Sequence, residues 1–319
     1  MSFQHIKGQD KPIRLLQRCL EQSSLEGGYL FSGPDGIGKR LAALETAKAL
    51  NCDQRSAEAC GQCPACRRIE AQQHPDVHTI ASGESEIKIE AIRQLKNQIG
   101  LKAYEGRHKV FIIDNAHRLT PEASNALLKV LEEPPSKSLL ILISDKPARL
   151  FKTILSRCKT VKFFPLRREE LQGLLREDYA LDSESAHFLA YFCEGRIGLA
   201  LKLKDGAILR QKNDIIERLA MDQRPNLENF SLTGRAELRF CLNVLAGWFR
   251  DIYLAKTGAP PQELINIDRR EELSMLAGKF DFIDLNRALD SISDSLLYLE
   301  QNINTKLLLY ELGAQIWKA

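Results

Sequence analysis

YLFSGPDGIGKRLA, residues 29–42, runs from a short apolar stretch through a glycine-rich turn into the helical pattern LAALETAKALNC. Gly33, Gly38 and Lys39 satisfy Gly-x-x-x-x-Gly-Lys, with Gly36 inside the turn. A strand that ends in such a loop and opens a helix aims backbone N–H groups at a phosphate, while the lysine reaches the terminal phosphates. The next position should be Ser or Thr, whose hydroxyl ligates Mg²⁺. Arg40 stands there instead. It offers a metal no oxygen, and its cation competes for the place of the divalent ion.

A working site of this kind needs an Asp at the end of a later strand, with an acid beside it to orient the attacking water. KVFIIDNAHRLT, residues 109–120, supplies Asp114 after an apolar run, so the context that the loop demands is present. Its neighbour is Asn115, an amide that hydrogen-bonds water but cannot accept its proton at neutral pH. The two stretches together predict a phosphate-loop ATPase fold with a degenerate nucleotide site. Arg40 and Asn115 weigh against hydrolysis, and against ATP or ADP binding as well.

The remaining pattern agrees. Residues 76–82, 109–114, 138–145 and 160–165 have strand length with β-branched or aromatic content. Helical patterns follow the first three, among them IEAIRQLKNQI (89–99) and TPEASNALLKVLEEP (120–134). Such alternation predicts a mostly parallel sheet covered on both faces. After Pro165 the strand signals stop. LRREELQGLLRED (166–178) and SESAHFLAYFCEG (183–195) read as short helices, the second capped by Ser183. Leu238, Cys241, Leu242, Leu245, Trp248, Phe249 and Ile252 share one helical face, as do Leu296, Leu299, Ile303 and Leu307. The predicted division is an α/β core over 1–163, a small helical domain over 164–207 and a helical carboxy-terminal domain over 208–319.

A length of 319 residues exceeds one ordinary core. Lys and Arg number 45 against 42 Asp and Glu, far from the basic footprint of a protein that grips DNA alone. Lys102 to Arg107 and Lys137 read as solvated surface charge rather than as a dedicated DNA or partner site. The longest aliphatic run, Leu139–Ile143, is too short to span a bilayer. MSFQHIKGQDK lacks the basic start, apolar stretch and cleavage site of a secretory signal, so a cytoplasmic location is expected.

Cys52, Cys60, Cys63 and Cys66 form Cys-x7-Cys-x2-Cys-x2-Cys, within a chain of eight cysteines. In a reducing compartment so tight a cluster suggests metal before disulfides. Four thiolates suit tetrahedral Zn²⁺ and leave no open position, so a structural zinc module is expected at about 52–76, with His74 and His78 as loop and strand residues. Ser156, Arg157 and Cys158, in TILSRCKTVKF, are open to two readings. One is a cap, a surface arginine and a buried small side chain. The other is an arginine that reaches a neighbouring subunit's phosphate.

FQHIKGQ (3–9), the altered phosphate loop, the four-cysteine insertion, FIIDNAHRLTPEASNALLKVLEEPP (111–135), TILSRC (153–158) and the closing LEQNINTKLLLYEL together resemble the clamp-loader subunits of bacterial DNA polymerase III. The resemblance implies an AAA+ core, a helical lid over 164–207, and a collar over 208–319 through which five subunits assemble. It implies gamma or tau and delta subunits as partners, a sliding clamp and primed DNA reached through the complex, and no homo-oligomer. Residue by residue, Gly33, Gly36, Gly38 and Lys39 match the nucleotide loop, Asp114 its strand acid, Ser144 the first sensor, and Ser156-Arg157-Cys158 the SRC motif. That motif's arginine serves the ATP of the adjacent motor subunit, which favours the trans reading of Arg157. In EGRIGLAL, Arg196 lies near the second sensor, but Gly198 occupies the position where motor subunits carry arginine. Motor subunits should also keep Ser or Thr after the loop lysine and Glu after the strand Asp. The departures therefore favour a non-hydrolysing partner over a motor ATPase or a self-sufficient DNA-binding protein.

Overall fold

The computed structural model describes residues 2–81, 83, 85–204, 207–221, 234–300 and 308. The chain divides into two compact units, Met1–Leu166 with Arg196–Leu199, and Arg167–Gly195 with Ala200–Ala319. In the first unit α1 (Asp10–Glu21) precedes β1 (Gly27–Ser32), α2 (Lys39–Asn51) and α3 (Pro64–Glu70). Next come β2 (Val77–Ile80), α4 (Ile89–Ile99), β3 (Lys109–Ile113), α5 (Pro121–Glu132), β4 (Ser138–Ser144), α6 (Lys152–Leu155) and β5 (Lys159–Lys162).

The strands form one five-stranded sheet in the order β2-β3-β4-β1-β5, and each adjacent pair is parallel. Parallel strands need crossover helices, and these cover both faces. Alternate residues therefore point to opposite cores. Tyr29, Phe31, Val110, Ile112, Leu139 and Ile141 pack with α1 and α2. Leu30, Phe111, Ile113, Leu140 and Leu142 pack with α4 and α5. That two-sided burial explains why these strands read as unbroken apolar runs. β1 lies between β4 and β5, so the loop leaving its carboxyl end sits where the strand order reverses, the usual ligand crevice of open α/β sheets.

The α/β class and each expected strand are present among the described residues. β4 is followed not by a full helix but by a 3-10 turn, Pro147–Arg149, and the single turn of α6. Pro147 and the extended Leu150 break the helical run there.

The second unit is helical among its described residues: α7 (Arg168–Glu177), α8 (Ser183–Phe192), the rest of α9 (Ile197–Leu203), α10 (Ile208–Ile216), α11 (Arg235–Thr257), α12 (Arg270–Lys279) and α13 (Phe282–Glu300). The cap of α8 is Asp182 rather than Ser183, because its carboxylate accepts the Ser185 N–H at 2.8 Å. The predicted face of α11, Leu238 to Ile252, is buried against α10, α12 and α13. Leu299 and Leu308 join that core, whereas Ile303 and Leu307 lie outside the described residues. No helix among the described residues is long and apolar enough to cross a membrane.

Candidate functional site

The phosphate loop is tightly folded onto its own sheet. Gly33 donates to the Ser144 carbonyl at 3.2 Å, and a Cβ at Gly33 would stand 2.4 Å from the Phe163 carbonyl oxygen, so only glycine fits. Lys39, at the start of α2, is 5 % exposed and gives its ammonium to the loop's own carbonyls, Gly33 at 2.7 Å and Pro34 at 2.5 Å. Burial holds this lysine below its usual range, against the opposing pull of Asp35, Asp145 and Asp114. Residues Arg196–Leu199 press on the loop from outside: Gly198 N–H donates to the Gly36 carbonyl at 2.6 Å. A Cβ at Gly198 would sit 2.7 Å from that same oxygen. The close approach of two backbones leaves no room for a side chain at 198.

At the carboxyl end of β3, Asp114 faces Arg40, with 4.0 Å between Oδ2 and Nη1. The arginine thus lies against the carboxylate that would organise a divalent ion. Asn115 adopts the left-handed region at φ 54°, which asparagine tolerates better than most residues. Its amide reaches the Gly83 carbonyl at 3.5 Å. Ser144, 1 % exposed, accepts the Lys146 N–H at 3.1 Å. Two further residues of this cluster carry no motif: His117, whose Nδ1 lies 3.0 Å from Asp145, and Asp145 itself. Burial keeps His117 below its ordinary value despite that carboxylate. Only their positions after β3 and β4 mark them in the sequence.

The four cysteines meet. Their Sγ atoms all lie within 4.8 Å of one another, and no other group of this kind occurs among the described residues. Tetrahedral thiolate around zinc puts sulfurs about 3.8 Å apart for bonds of ~2.3 Å, so the donor set fits such an ion. Backbone N–H groups already aim at the sulfurs, Cys60 to Cys52 at 3.4 Å and Cys63 to Cys60 at 3.3 Å. Donation from Gln62 and Cys63 pulls the Cys60 thiol down to about 6. The module's apolar interior amounts to Cys52, Ala59 and Cys66, with Cys60 and Cys63 at its edge, too little to fold without a cross-link. His74 stays outside the sulfur group: its Nδ1 accepts the Asp76 N–H at 3.1 Å. His78 stacks on Phe111 in the sheet, centroids 4.9 Å apart.

Beside the cluster lies a second construction that no motif announced. Asn51, the last residue of α2 and next to Cys52, accepts the N–H groups of Arg107 at 2.8 Å and His108 at 3.0 Å. Asp76 accepts three more, from Tyr104, Glu105 and Gly106 at 2.8, 2.9 and 2.7 Å. Arg107 donates to the Cys52 carbonyl, and Arg68 of α3 pairs with Glu105 at 2.9 Å. The basic loop 102–107 is therefore a pinned arch on the sulfur module. Burial pushes the Asp76 carboxyl up, but the three backbone donors outweigh it and hold the group below the usual carboxylate range.

Ser156, Arg157 and Cys158 form the turn between α6 and β5. Cys158 packs beneath it with Leu127 and Leu131, and burial raises its thiol to about 12, so it anchors the turn and does not ionise at neutral pH. The Arg157 side chain remains about one-third exposed, held to Glu132 of α5 at 2.7 Å and to the Thr153 carbonyl at 3.0 Å. Arg157 and the phosphate loop stand at opposite ends of β1. The Arg157 carbonyl packs beside Gly28 near the strand's start, whereas Gly33 follows its end.

The sequence profile described as "DNA polymerase III, delta subunit" matches residues 8–167, and "DNA polymerase III, delta subunit, C terminal" matches 200–316. DNA polymerase III subunit delta prime of Bacillus subtilis is 38 % identical over 169 residues, which are 53 % of this chain and 51 % of that protein. The delta prime subunit of Pseudomonas aeruginosa is 42 % identical over 133 residues, 41 % of this chain and 40 % of its own. DNA polymerase III subunit tau of Bacillus subtilis is 34 % identical over 212 residues, 65 % of this chain and 38 % of its own. The matched region thus spans about half or less of each of these relatives. A gamma subunit-related protein of Thermotoga maritima superposes at TM-score 0.50 with 20 % identity, over 97 % of this chain and 99 % of that one, a likeness of fold alone.

Two measurements check the sulfur module and its arch. Reduced, folded protein is expected to carry about one tetrahedrally bound metal ion per chain. Stripping it should speed amide hydrogen exchange at Arg107 and His108, because those N–H groups hang on Asn51, the residue before Cys52. A folded sample that never takes up metal speaks against the site. Asp76→Asn should lower stability by about 2 kcal/mol or more in urea titrations at neutral pH, since charged acceptors make the stronger hydrogen bonds. A carboxylate whose folded pKa is depressed stabilises above its unfolded value near ~3.9 and loses that contribution as pH falls through the folded one. The gap between wild type and Asp76→Asn should therefore close below about pH 4.

Proposed function

Because the chain belongs to the DNA polymerase III delta subunit family, we propose that it acts as the delta-prime-type subunit of the loader that opens a ring-shaped clamp and sets it on primed DNA. In this reading it does not hydrolyse ATP itself. It works beside gamma or tau and delta subunits, with the core over 1–163, a lid over 164–207 and a collar over 208–319. Its contribution to chemistry is Arg157, placed against the ATP of an adjacent motor subunit, where the guanidinium stabilises charge on the transferring phosphoryl group. Ser156 and Cys158 hold the turn that presents it. Zn²⁺ at Cys52, Cys60, Cys63 and Cys66 would be structural, since four thiolates close its coordination sphere.

The observation that carries this reading is the separation of the two sites along β1. From Gly28 to Gly33 the strand advances about 17 Å at ~3.3 Å per residue, more than an arginine side chain spans. Arg157 is thus remote from its own chain's loop and needs a phosphate supplied by another. The loop, for its part, already satisfies Lys39 internally, faces Asp114 with Arg40, and carries the Gly198 backbone on Gly36. A gamma- or tau-like motor is the alternative, favoured by the similarity to tau. It would need Lys39, Arg40 and Gly198 all to move.

The purified chain alone is expected to show no Mg²⁺-dependent ATP turnover; turnover that disappears on Lys39→Ala would select the motor instead. In a loader reconstituted with clamp and primed DNA, Arg157→Ala should depress ATPase at the neighbouring site by about 10³-fold, the effect of losing an arginine finger. An unchanged rate from an intact assembly would remove the trans role.

A further inference from the structure

The placement of Arg157 depends on a side chain from another element. Gly28, second residue of β1, is where three segments converge. A Cβ there would stand 2.5 Å from Leu131 Cδ2, 3.3 Å from the Arg157 carbonyl oxygen and 3.3 Å from Cys158 Sγ. The absent side chain lets the end of α5 and the turn 156–158 meet over the strand. Leu131 and Cys158 fill the buried side of that junction. Each one's chain neighbour, Glu132 and Arg157, meets at its surface, with 2.7 Å between Oε1 and Nη2.

Arg157 has five N–H donors. Nη1 gives to the Thr153 carbonyl at 3.0 Å and the Ser156 hydroxyl at 3.3 Å, and Nη2 is ion-paired with Glu132 at 2.7 Å. Neither Nε–H nor the Nη2 donors bond to the arginine's own turn. Thr153 lies in α6 and Ser156 in the arginine's own turn, so both contacts are local in sequence. Among the described residues Glu132 is the partner that ties the guanidinium to a separate element, α5. The side chains are 35 % and 49 % exposed, so the pair adds little to stability. A pair that stabilises little but fixes a planar fork is suited to orientation.

We propose that Glu132 is a positioning residue for Arg157: its carboxylate holds the guanidinium by an ion pair that leaves Nε–H available for the phosphate of a neighbouring subunit. The inference rests on the trans reading of Arg157 given above. Without Glu132 the fork must be oriented at each turnover, so the cost falls on the chemical step and not on nucleotide capture by the neighbour.

The test uses the whole loader with clamp and primed DNA, reading steady-state ATPase against ATP concentration. Glu132→Ala should lower kcat about fivefold, the reach of an exposed pair, with KM for ATP and assembly unchanged. Glu132→Gln, which keeps an acceptor for Nη2, should recover part of the loss. The Arg157→Ala/Glu132→Ala double variant should match Arg157→Ala alone, because a group that acts through the arginine has nothing left to act on. Three results overturn the proposal while leaving the arginine's role intact: kcat unaffected or raised by Glu132→Ala, losses that add in the double variant, or a shift in KM instead of kcat. If Arg157→Ala itself has no effect, the trans reading fails first and takes this inference with it.

Discussion

The burial of β1 on both faces and along both edges is the constraint on which the molecule depends. A strand paired with β4 on one side and β5 on the other, and covered above and below by helices, has no freedom to shift register. Its carboxyl end fixes the phosphate loop, and its amino end fixes the turn that carries Arg157. Six residues of strand thus separate a nucleotide loop from an arginine by a distance that side chains do not bridge. That spacing puts the phosphate loop and Arg157 at opposite ends of one strand, out of reach of each other.

The phosphate loop is closed on itself by its own charged groups. Backbone N–H groups remain at the start of α2, but the charged groups around them are already engaged. The Lys39 ammonium takes two carbonyls of the loop, and Arg40 stands by Asp114. A phosphate entering here must displace intramolecular partners, so whatever it gains in charge-assisted bonding is offset by the bonds it breaks. The Gly36–Gly198 contact adds a steric term. Position 198 admits only glycine in this packing, because a Cβ there would collide with the Gly36 carbonyl oxygen.

The sulfur module follows a different logic. It has almost no apolar interior, its four sulfurs are placed as a metal would hold them, and it is joined to the core by polar contacts: Lys48 with Glu70, Gln17 with Glu58, and the Asn51 and Asp76 amide network. The consequence is a rigid attachment for the loop 102–107, which the sequence presents as a run of solvated charge. Lys102 and Arg107 remain near the surface, but the backbone that carries them is held by five N–H bonds to two buried side chains. Charge composition alone says nothing of that rigidity, because it comes from an amide and a carboxylate placed about 30 to 60 residues upstream.

Local periodicity was enough to determine the strands, the long helices and the parallel class, though not the broken turn after β4, because two-sided burial writes itself into continuous apolar runs and one-sided helix packing into a three-and-four spacing. Spacing also determined the four-sulfur group, since a knuckle brings Cys60, Cys63 and Cys66 together over a few bonds, and it marked Arg40 and Asn115 as departures from the phosphate-loop pattern. What only the tertiary structure decided involves partners far apart in the chain. Gly198 against Gly36, Glu132 against Arg157, and Asp76 beneath residues 104–106 each depend on where the sheet brings separate elements. None has a periodic or spacing signature, because a hydrogen bond or close contact between distant segments constrains one residue type at each end and nothing in between.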